Sequence, residues 1–394
     1  MHTPLRTEPA VDVVVATSLA ALDEHADAWD RLALSSPERL PMLSHAWTAA
    51  FLETRGKDRP WWCLFAYRGT ELVGVMPVTR TRGWTGVGLR GPTDQRHTLR
   101  TPLLAPAHAP QALRALIGKS RELDPHAWIR FHGARDCSPL LQALPALDRD
   151  MRVLRPVTAR GLLVDTTGSF DDFAAALNKS FKKSLRSARN RAARDHGLTF
   201  DVVSGPEAAQ PELLEHFLRV ERSSWKAASG TTVACNAAEV AFYSALSRRL
   251  ARRGWLEWHL ALVDDVPVAV NFMVRFGASL LLPKGVYDDK YAKYGLGNLL
   301  FWEAVSRSYA DDTCEELNVL TDIPWMHVWH MQDARYHDII VGSRGPVSTV
   351  CSLLEAWEPR RRAADYLRNH PELEERVRRA TRRFGGKGRA RLEA

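Results

Sequence analysis

The pattern of apolar and polar positions predicts two successive units with the same order of elements. In each unit, segments with helical spacing precede two strand-like runs that form a hairpin, and a further helix follows. The elements expected in the first unit are a strand at 11–16, helices at 19–34 and 43–54, hairpin strands at 61–67 and 71–79, a helix at 111–123, a strand at 128–132 and a helix at 138–147. The elements expected in the second unit are helices at 170–177 and 179–194, a strand at 198–203, helices at 206–227 and 237–253, strands at 255–263, 266–276 and 279–286, a helix from 299 to 309 and a strand at 316–320. The repeated order predicts a duplicated fold.

The length of the chain supports this division. With 394 residues, of which 45% are hydrophobic, the chain is long enough for two domains that each bury a core. We place the domains at 1–155 and 156–358, followed by a basic tail at 359–394 that is helical or disordered. The sequence has no run of eighteen apolar residues and no signal-peptide pattern at its start, so we expect a cytoplasmic protein without a membrane span. Five cysteines without a Cys-x-x-Cys spacing indicate reduced thiols rather than disulfides or a zinc site.

The positive charge is concentrated in two segments. The net charge is +8, and residues 360–394 hold twelve Lys/Arg against five Asp/Glu, which accounts for +7 of it. The segment 179–194 holds seven cations and no acid, with apolar residues at 181, 185, 188 and 192 that predict an amphipathic helix. A helix of this kind is either a solvated surface or a site for a polyanion that relieves the repulsion between the cations. The candidate tRNA-binding residues are Lys179, Lys182, Lys183, Arg186, Arg189 and Arg191.

A Gly-x-Gly sequence lies between the second hairpin and the helix that follows it. Glycines let the backbone approach a ligand closely, and the first N–H groups of a helix attract an anion. The same sequence is also typical of a plain turn before a helix, so the pattern alone leaves both interpretations open. The candidate residues for binding the phosphates of a donor are Lys290, Lys293, Tyr294, Gly295, Leu296, Gly297 and Asn298.

Several segments of the second unit resemble a known family. They are the basic helix NKSFKKSLRSARNRAARDHG, the segment FLRVERSSWKAASG, the block from Val263 to Val305 that contains the hairpin and the Gly-x-Gly sequence, and ELNVLTDIPWMHVWHM. Together they are similar to the CelD-type acyltransferases of the GNAT superfamily, which are relatives of the Fem-type aminoacyl transferases. The resemblance implies an α/β (α+β) fold of tandem GNAT-like domains, each a mixed, mostly antiparallel sheet flanked by helices. It also implies a degenerate first domain and an active cleft in the second.

The sequence departs from the family pattern at two places. Ala292 stands where the loop pattern Arg-x-x-Gly-x-Gly/Ala has its arginine, and this puts a coenzyme A pyrophosphate site in doubt. Met326 and His327 stand where a Tyr-Lys pair is usual, which leaves the role of a catalytic or substrate-binding lysine unassigned.

Acyl transfer to an amine requires a base for the amine proton and hydrogen-bond donors for the oxyanion, but no covalent nucleophile. His259 lies on a predicted strand, and histidine is by type a suitable base; a hydrogen-bonded core or surface histidine is the more common explanation for such a position. Asp322 and His327 follow the last predicted strand and complete the candidate catalytic residues. His327 and His330 have a spacing found in metal sites, but no supporting carboxylate or cysteine accompanies them, so we expect no metal.

Polar and aromatic residues around the second hairpin are candidates for holding the acceptor. Asn271 interrupts an apolar strand, where it either belongs to a structural network or contacts substrate. Lys284, Tyr287 and Tyr291 lie between the hairpin and the Gly-x-Gly sequence, where turn solvation is the alternative explanation. Trp225 completes the candidate acceptor-binding residues.

Two donors are consistent with these features. Aminoacyl-tRNA would engage the basic helix and the tail, whereas acyl-CoA would need only the Gly-x-Gly loop. We expect an amide-forming transferase that uses aminoacyl-tRNA without a covalent enzyme intermediate, and an acyl-CoA-dependent N-acyltransferase is the alternative. A non-catalytic RNA-binding protein on the same scaffold is a third possibility. The co-substrate is not permanently bound in either enzyme, and the acceptor is a small-molecule or cell-wall amine.

Overall fold

The computed structural model of the protein describes residues 10–83, 86–93, 99–147, 150–228 and 232–357. These residues form strands that all belong to one sheet, α-helices on both of its faces, and short 3-10 helices between them. The strands are β1 (Val11–Ala16), β2 (Trp61–Arg68), β3 (Glu71–Gly83), β4 (Gly86–Arg90), β5 (Leu103–Leu104), β6 (Trp128–Arg135), β7 (Met151–Leu154), β8 (Thr158–Asp165), β9 (Thr199–Ser204), β10 (Leu256–Val263), β11 (Val266–Phe276), β12 (Ser279–Tyr287), β13 (Glu316–Asn318) and β14 (Gln332–Ser343). The helices are α1 (Leu19–Asp23), α2 (Ala26–Leu34), α3 (His45–Thr54), α4 (Ala109–Leu123), α5 (Pro139–Ala143), α6 (Phe170–Ala176), α7 (Lys179–His196), α8 (Pro211–Arg222), α9 (Trp225–Ala228), α10 (Ala237–Arg252), α11 (Leu296–Tyr309) and α12 (Pro346–Trp357).

The two halves of the chain order their strands alike. The first half places β1, β2, β3, β4 and β6 side by side, and the second half places β9, β10, β11, β12, β13 and β8 side by side. In each half one strand runs parallel to the strand that follows the next long helix: β4 beside β6, and β12 beside β13. The other strand pairs of the described ranges are antiparallel. The expected fold of mixed, mostly antiparallel sheets flanked by helices is therefore confirmed.

Strand β14 joins the halves into one sheet. It pairs with β6 of the first half along one edge and with β8 and β7 along the other. The halves also pack through α3 and α10, where the ring of Phe242 meets those of Trp47 and Phe51 edge-on. A continuous apolar core therefore extends through both halves on this face of the sheet.

In the second half, helices cover the sheet on two faces. Helices α8 and α10 pack on one face, against the core that continues into the first half. Helices α7 and α11 pack on the other face, over two smaller apolar clusters. Residues of α11 thus lie between the sheet and the basic helix α7.

The observed elements differ from the predicted pattern at several places. The helix expected at 19–34 is divided into α1 and α2, and the helix expected at 206–227 is a 3-10 helix at Gly205–Ala209 followed by α8 and α9. Helix α11 begins at Leu296 rather than at residue 299. Strands β4, β5 and β14 and helix α12 have no counterpart among the predicted elements. The apolar pattern does not predict β14 because some of its interior side chains are polar. One of them is Asp338, which is buried and accepts a hydrogen bond from Arg130.

A buried ion pair links the start of β13 to the end of β6. The two terminal nitrogens of Arg135 donate to the two carboxylate oxygens of Glu316 at 2.7 and 2.6 Å. Burial alone would raise the pKa of Glu316, but the hydrogen bonds and charge of Arg135 outweigh it, so the pKa is lowered. The stabilisation from this carboxylate is therefore present at neutral pH and is lost as the pH falls through its lowered folded-state pKa.

Replacing Arg135 with methionine is expected to destabilise the protein by about 3 to 5 kcal/mol at pH 7, because Glu316 would remain buried without its cation. Urea unfolding followed by circular dichroism measures the change. The control is Glu315→Gln, which removes an exposed pair with Arg39 and is expected to cost less than about 1 kcal/mol. Equal losses for the two variants would contradict the importance of the buried pair.

Candidate active site

Strands β12 and β13 are paired over only a short length. Their parallel register covers Ser279–Leu281 against Glu316–Asn318, and β12 then continues to Tyr287 without a strand partner on that side within the described ranges. Ligands bind in the crevice beyond the carboxyl ends of parallel strands. The start of α11 and the segment after β13 both lie at this end of the pair, so the candidate site is built there.

Gly295 shapes the start of α11. It has a φ of 61°, in the left-handed region that favours glycine, and it ends the 3-10 helix Asp289–Tyr294 as well as beginning α11. Its carbonyl accepts from the N–H groups of Asn298 and Leu299. Among the described residues, no group accepts from the N–H of Leu296 or Gly297. These two donors, at the positive end of the helix dipole, are available to an anion.

The residues predicted to bind phosphate fall into two groups. Gly295, Gly297 and Asn298 are half-buried and reach the surface, so the helix start is open to a ligand. The side chains of Tyr294 and Leu296 are buried in the core beside α7, so only their backbone atoms can meet a donor.

Lys290 and Lys293 bring positive charge to the same loop. Both side chains are exposed, and their Nζ atoms lie 5.4 and 4.9 Å from the ring centres of Tyr291 and Tyr294. The imidazole of His196 meets both tyrosine rings edge-on. The loop therefore packs directly on the C-terminal end of α7.

Helix α7 has the amphipathic character that its sequence predicts. Asn178 caps its first turn, Gly197 ends it in the left-handed conformation, and Ala188 and Ala192 are buried beneath it. Three of its cations have partners: Lys182 donates to the carbonyl of Ala175, Arg189 pairs with Glu303, and Arg194 pairs with Asp195. The remaining four are exposed and have no acidic partner among the described residues. They are Lys179, Lys183, Arg186 and Arg191.

Trp329 ties the start of α11 to the segment after β13. Its buried indole N–H donates to Oδ1 of Asn298 at 3.3 Å, and its ring packs against Phe301 and Phe181. Trp329 thereby fixes the 3-10 helix Pro324–Trp329 against both α11 and α7. The sequence around Trp329 gives no sign of this role, because a tryptophan that only fills the core would have the same pattern of neighbours.

Asp322 and His327 are brought together by this 3-10 helix. The imidazole Nε2 of His327 bonds to Oδ1 of Asp322, and Nε of Arg160 lies 3.8 Å from the other carboxylate oxygen. The His327 side chain is 56% exposed and that of Asp322 is 24% exposed. A carboxylate that holds an accessible imidazole in place is an arrangement suited to proton transfer.

His259 occupies a different environment. It is 1% exposed on the face of β10 that α11 covers, and its Nε2 donates to Glu257 at 2.9 Å. Arg275 donates a hydrogen bond to the other carboxylate oxygen of Glu257 and forms an ion pair with Asp311. Burial alone would raise the pKa of Glu257, but the hydrogen bond from His259 and the charge of Arg275 lower it overall. His259 therefore belongs to a buried polar chain rather than to an open cleft.

The predicted acceptor-binding residues surround the unpaired end of β12. Asn271 lies opposite His259 in the strand register and is buried, and a Cβ on the neighbouring Gly285 would come within 2.6 Å of its Oδ1. Lys284 and Tyr287 are half-buried on β12, and burial together with the charge of Asp289 raises the pKa of Tyr287.

Two further acceptor candidates lie on the loop beside this strand end. Tyr291 is half-buried in the 3-10 helix before Gly295. Trp225 is 58% exposed and is brought near this loop because the Asp289 N–H donates to the carbonyl of Ser223 at 3.1 Å.

A pocket of about 370 Å³ lies elsewhere, at the junction of the two halves. The Arg135–Glu316 and Arg39–Glu315 ion pairs line it, and none of the predicted site residues does. In the described ranges, no cluster of three or more His, Cys, Asp or Glu side chains has the geometry to hold a metal ion. The part of the chain covered by the structure includes no helix that is long and apolar enough to cross a membrane.

In the first half, the corresponding parallel pair ends differently. The Cβ that an alanine would add at Gly91, just after β4, would lie 2.4 Å from Cγ of Arg100. Arg100 is buried, and its guanidinium donates to the carbonyl of Met42 and to Thr48. This side chain occupies the space beyond β4.

Comparison with known proteins finds a matching domain model and similar solved structures. Residues 179–324 match a family model described as an acetyltransferase (GNAT) domain. A search of curated proteins found no match. Among solved structures, the crystal structure of FemX superposes with a TM-score of 0.57 at 10% identity, covering 83% of this chain and 96% of that one.

Two further solved structures share the fold. A conserved protein of unknown function from Bacteroides thetaiotaomicron VPI-5482 gives a TM-score of 0.55 at 13% identity, over 84% of this chain and 100% of that one. The C-terminal domain of a putative lysylphosphatidylglycerol synthetase from Agrobacterium fabrum gives 0.53 at 14% identity, over 86% and 96%. Residues 179–324 thus match an acetyltransferase (GNAT) domain, and the described chain shares its fold with these solved structures.

Proposed function

We propose that the protein transfers an aminoacyl group from aminoacyl-tRNA to the amine of a small-molecule or cell-wall acceptor. The observation that carries this proposal is the continuity between the open start of α11 and the exposed cations of α7. The helix start offers two unpartnered N–H donors, and α7 packs against the loop that leads to it. A tRNA donor would place the reaction in the cytoplasm.

The electrostatics of α7 favour an extended anionic donor. Four exposed cations without acidic partners among the described residues form a surface longer than a single phosphate group requires. Proteins that neutralise several nucleic-acid phosphates release bound counterions, so their binding weakens steeply with salt. The sequence resembles the CelD-type acyltransferases, which are relatives of the Fem-type aminoacyl transferases, and this resemblance supports the same donor.

The reaction proceeds by direct attack. The neutral acceptor amine attacks the ester carbonyl of the donor, a C–N bond forms, and the C–O bond to the tRNA 3′ end breaks. His327, held by Asp322, takes the proton of the attacking amine and then gives it to the departing 3′ oxygen. Backbone N–H groups along the unpaired end of β12 are suited to stabilise the oxyanion. In this scheme Asp322 is a positioning residue, and His259 and Glu257 support the strand beneath α11.

The two halves of the chain have different proposed roles. We assign catalysis to residues 156–358 and propose that residues 1–155 are a degenerate copy. The side chain of Arg100 beyond β4 supports this assignment, because it occupies the space that corresponds to the crevice of the second half.

A second donor is favoured by one specific feature. The N–H groups of Leu296 and Gly297 suit a pyrophosphate as well as a nucleic-acid phosphate, and the matching family model is an acetyltransferase. Acyl-CoA is therefore the alternative donor, with a C–S bond breaking in place of the C–O bond.

Neutralising part of the α7 surface tests the tRNA donor. The double variant Lys183→Gln/Arg186→Gln is expected to weaken tRNA binding about tenfold and to reduce the slope of log K against log salt by about 2. Fluorescence anisotropy at several salt concentrations measures both effects. The control is Arg248→Gln/Arg252→Gln, which removes two exposed cations from α10. An unchanged slope in the α7 variant, or amide product formed from acyl-CoA in the presence of RNase, would refute the tRNA proposal.

A proline at Gly297 removes one of the two N–H donors without breaking the helix. Proline is tolerated in the first turn, as Pro110 shows in α4. We expect Gly297→Pro to raise the KM for the donor about tenfold, the cost of one charge-assisted hydrogen bond. Gly297→Ala keeps the N–H, and its Cβ would make an ordinary contact with Tyr287, so its KM should stay within about threefold of wild type. A similar KM in both variants would argue against an anion at this helix start.

The proton acceptor is tested at His327. Because general-base catalysis contributes about 10² to 10⁴ in rate, His327→Gln is expected to lower kcat by at least about 10² with little change in the donor KM. The matched control is His330→Asn, since His330 has a φ of 51° and asparagine tolerates that conformation. Steady-state kinetics decide the matter, and wild-type turnover in His327→Gln would remove this residue from the mechanism.

A further inference from the structure

Helix α12 presents an apolar face to solvent. Its large apolar side chains Val347, Val350, Leu353 and Trp357 are between 47% and 74% exposed. At 3.6 residues per turn these positions share one face of the helix. The buried positions Ser348, Ser352 and Glu355 are polar and share the opposite face. The amphipathic pattern is therefore reversed relative to a helix that packs its apolar side on the protein.

Polar contacts fix this orientation. The carboxylate of Glu355 accepts from Arg130 at 3.0 Å and from Arg90 at 3.5 Å, both on the sheet beneath the helix. The hydroxyl of Ser348 donates to the carbonyl of Ala127. The helix also comes so close that a Cβ on Gly342 would lie 2.2 Å from Oγ of Ser352. The apolar face cannot turn inward without breaking buried ionic bonds.

Arginines lie beside α12 in the structure and follow it in the sequence. Arg344 is exposed just before the helix, and Arg152 is exposed on β7. Arg152 lies opposite Gly342 in the strand register, so the two residues share the face of the sheet on which α12 packs. After Glu358 and Pro359 the sequence continues through Arg360, Arg361 and Arg362, within the segment 360–394 that carries a net charge of +7. The one acidic residue of α12, Glu355, is buried and paired.

These charges distinguish between possible occupants of the apolar face. A second copy of the chain would bring the same arginines against each other, and a twelve-residue helix is only about 18 Å long, which offers little area for a stable dimer. A nucleic-acid backbone would attract the arginines but would give the valine, leucine and tryptophan side chains no apolar surface. An anionic lipid surface suits both the positive charge and the apolar side chains, because acyl chains receive the apolar face and lipid headgroups attract the arginines.

We propose that α12 docks the protein peripherally on an anionic lipid surface. The apolar face enters the boundary between headgroups and acyl chains, with Trp357 at the level where tryptophan is enriched in membrane proteins. This attachment does not depend on the identity of the acyl donor.

Vesicle binding tests the proposal. Full-length protein is mixed with vesicles of phosphatidylcholine alone and of phosphatidylcholine with 30 mol% phosphatidylglycerol, and the bound fraction is measured by flotation. We expect binding to the anionic vesicles at least about tenfold tighter than to the neutral ones, weakening as salt rises. The triple variant Val350→Ser/Leu353→Ser/Trp357→Ser is expected to lose at least about tenfold in binding to anionic vesicles. All three side chains are exposed, and circular dichroism verifies that the variant is folded.

The control is a variant at exposed apolar positions distant from α12, Val14→Ser/Val266→Ser, which should bind vesicles as wild type does. Three results would overturn the proposal: no binding of wild type to anionic vesicles at low salt, undiminished binding of the triple variant, or a wild-type dimer in sedimentation that the triple variant abolishes. The last result would assign the face to a second copy of the chain.

Discussion

The left-handed conformation of Gly295 is the constraint around which the second half is arranged. It lets the chain end the 3-10 helix Asp289–Tyr294 and begin α11 immediately, so that α11 starts a short distance along the chain after the carboxyl end of β12. A side chain at this position would strain the backbone, and a longer connection would move the helix start away from the crevice. The residues proposed for the proton acceptor are linked to this junction by the hydrogen bond between Trp329 and Asn298, and Trp225, proposed for the acceptor amine, is linked to it by the bond between Asp289 and Ser223.

Two side chains contact the start of α11 from different sides. The ring of Tyr287 lies against Gly297 from the strand side, and the indole of Trp329 bonds to Asn298 from the segment after β13. Trp329 also packs against Phe181 of α7, so its indole connects the basic helix, the start of α11 and the 3-10 helix that carries His327. A donor that binds along α7 is thereby presented to groups whose relative positions are set by packing rather than by flexible loops.

The sequence predicted most of the second half because its strands and helices follow simple periods. The hairpin of β11 and β12 and the amphipathic α7 agree closely with the structure, since each buries one regular set of apolar positions. Strand β14 was not predictable in this way, because its interior residues include Asp338 and its partners come from both halves of the chain. Helix α12 was not predicted because its apolar positions face solvent instead of the protein core.

The candidate site was less accessible to sequence reasoning than the fold. His259 has the residue type of a base, but only the structure reveals that Glu257 and Arg275 enclose it beneath α11. The pairing of Asp322 with His327 depends on a 3-10 helix that the pattern did not indicate.

The proposed donor site is tested most directly by a crystal structure with a stable aminoacyl-tRNA acceptor-stem mimic. If α11 binds the donor as proposed, a phosphate oxygen lies within about 3 Å of the N–H groups of Leu296 and Gly297, with the aminoacyl carbonyl beside β12. A mimic bound elsewhere, with this helix start left to solvent, would contradict the proposed donor site.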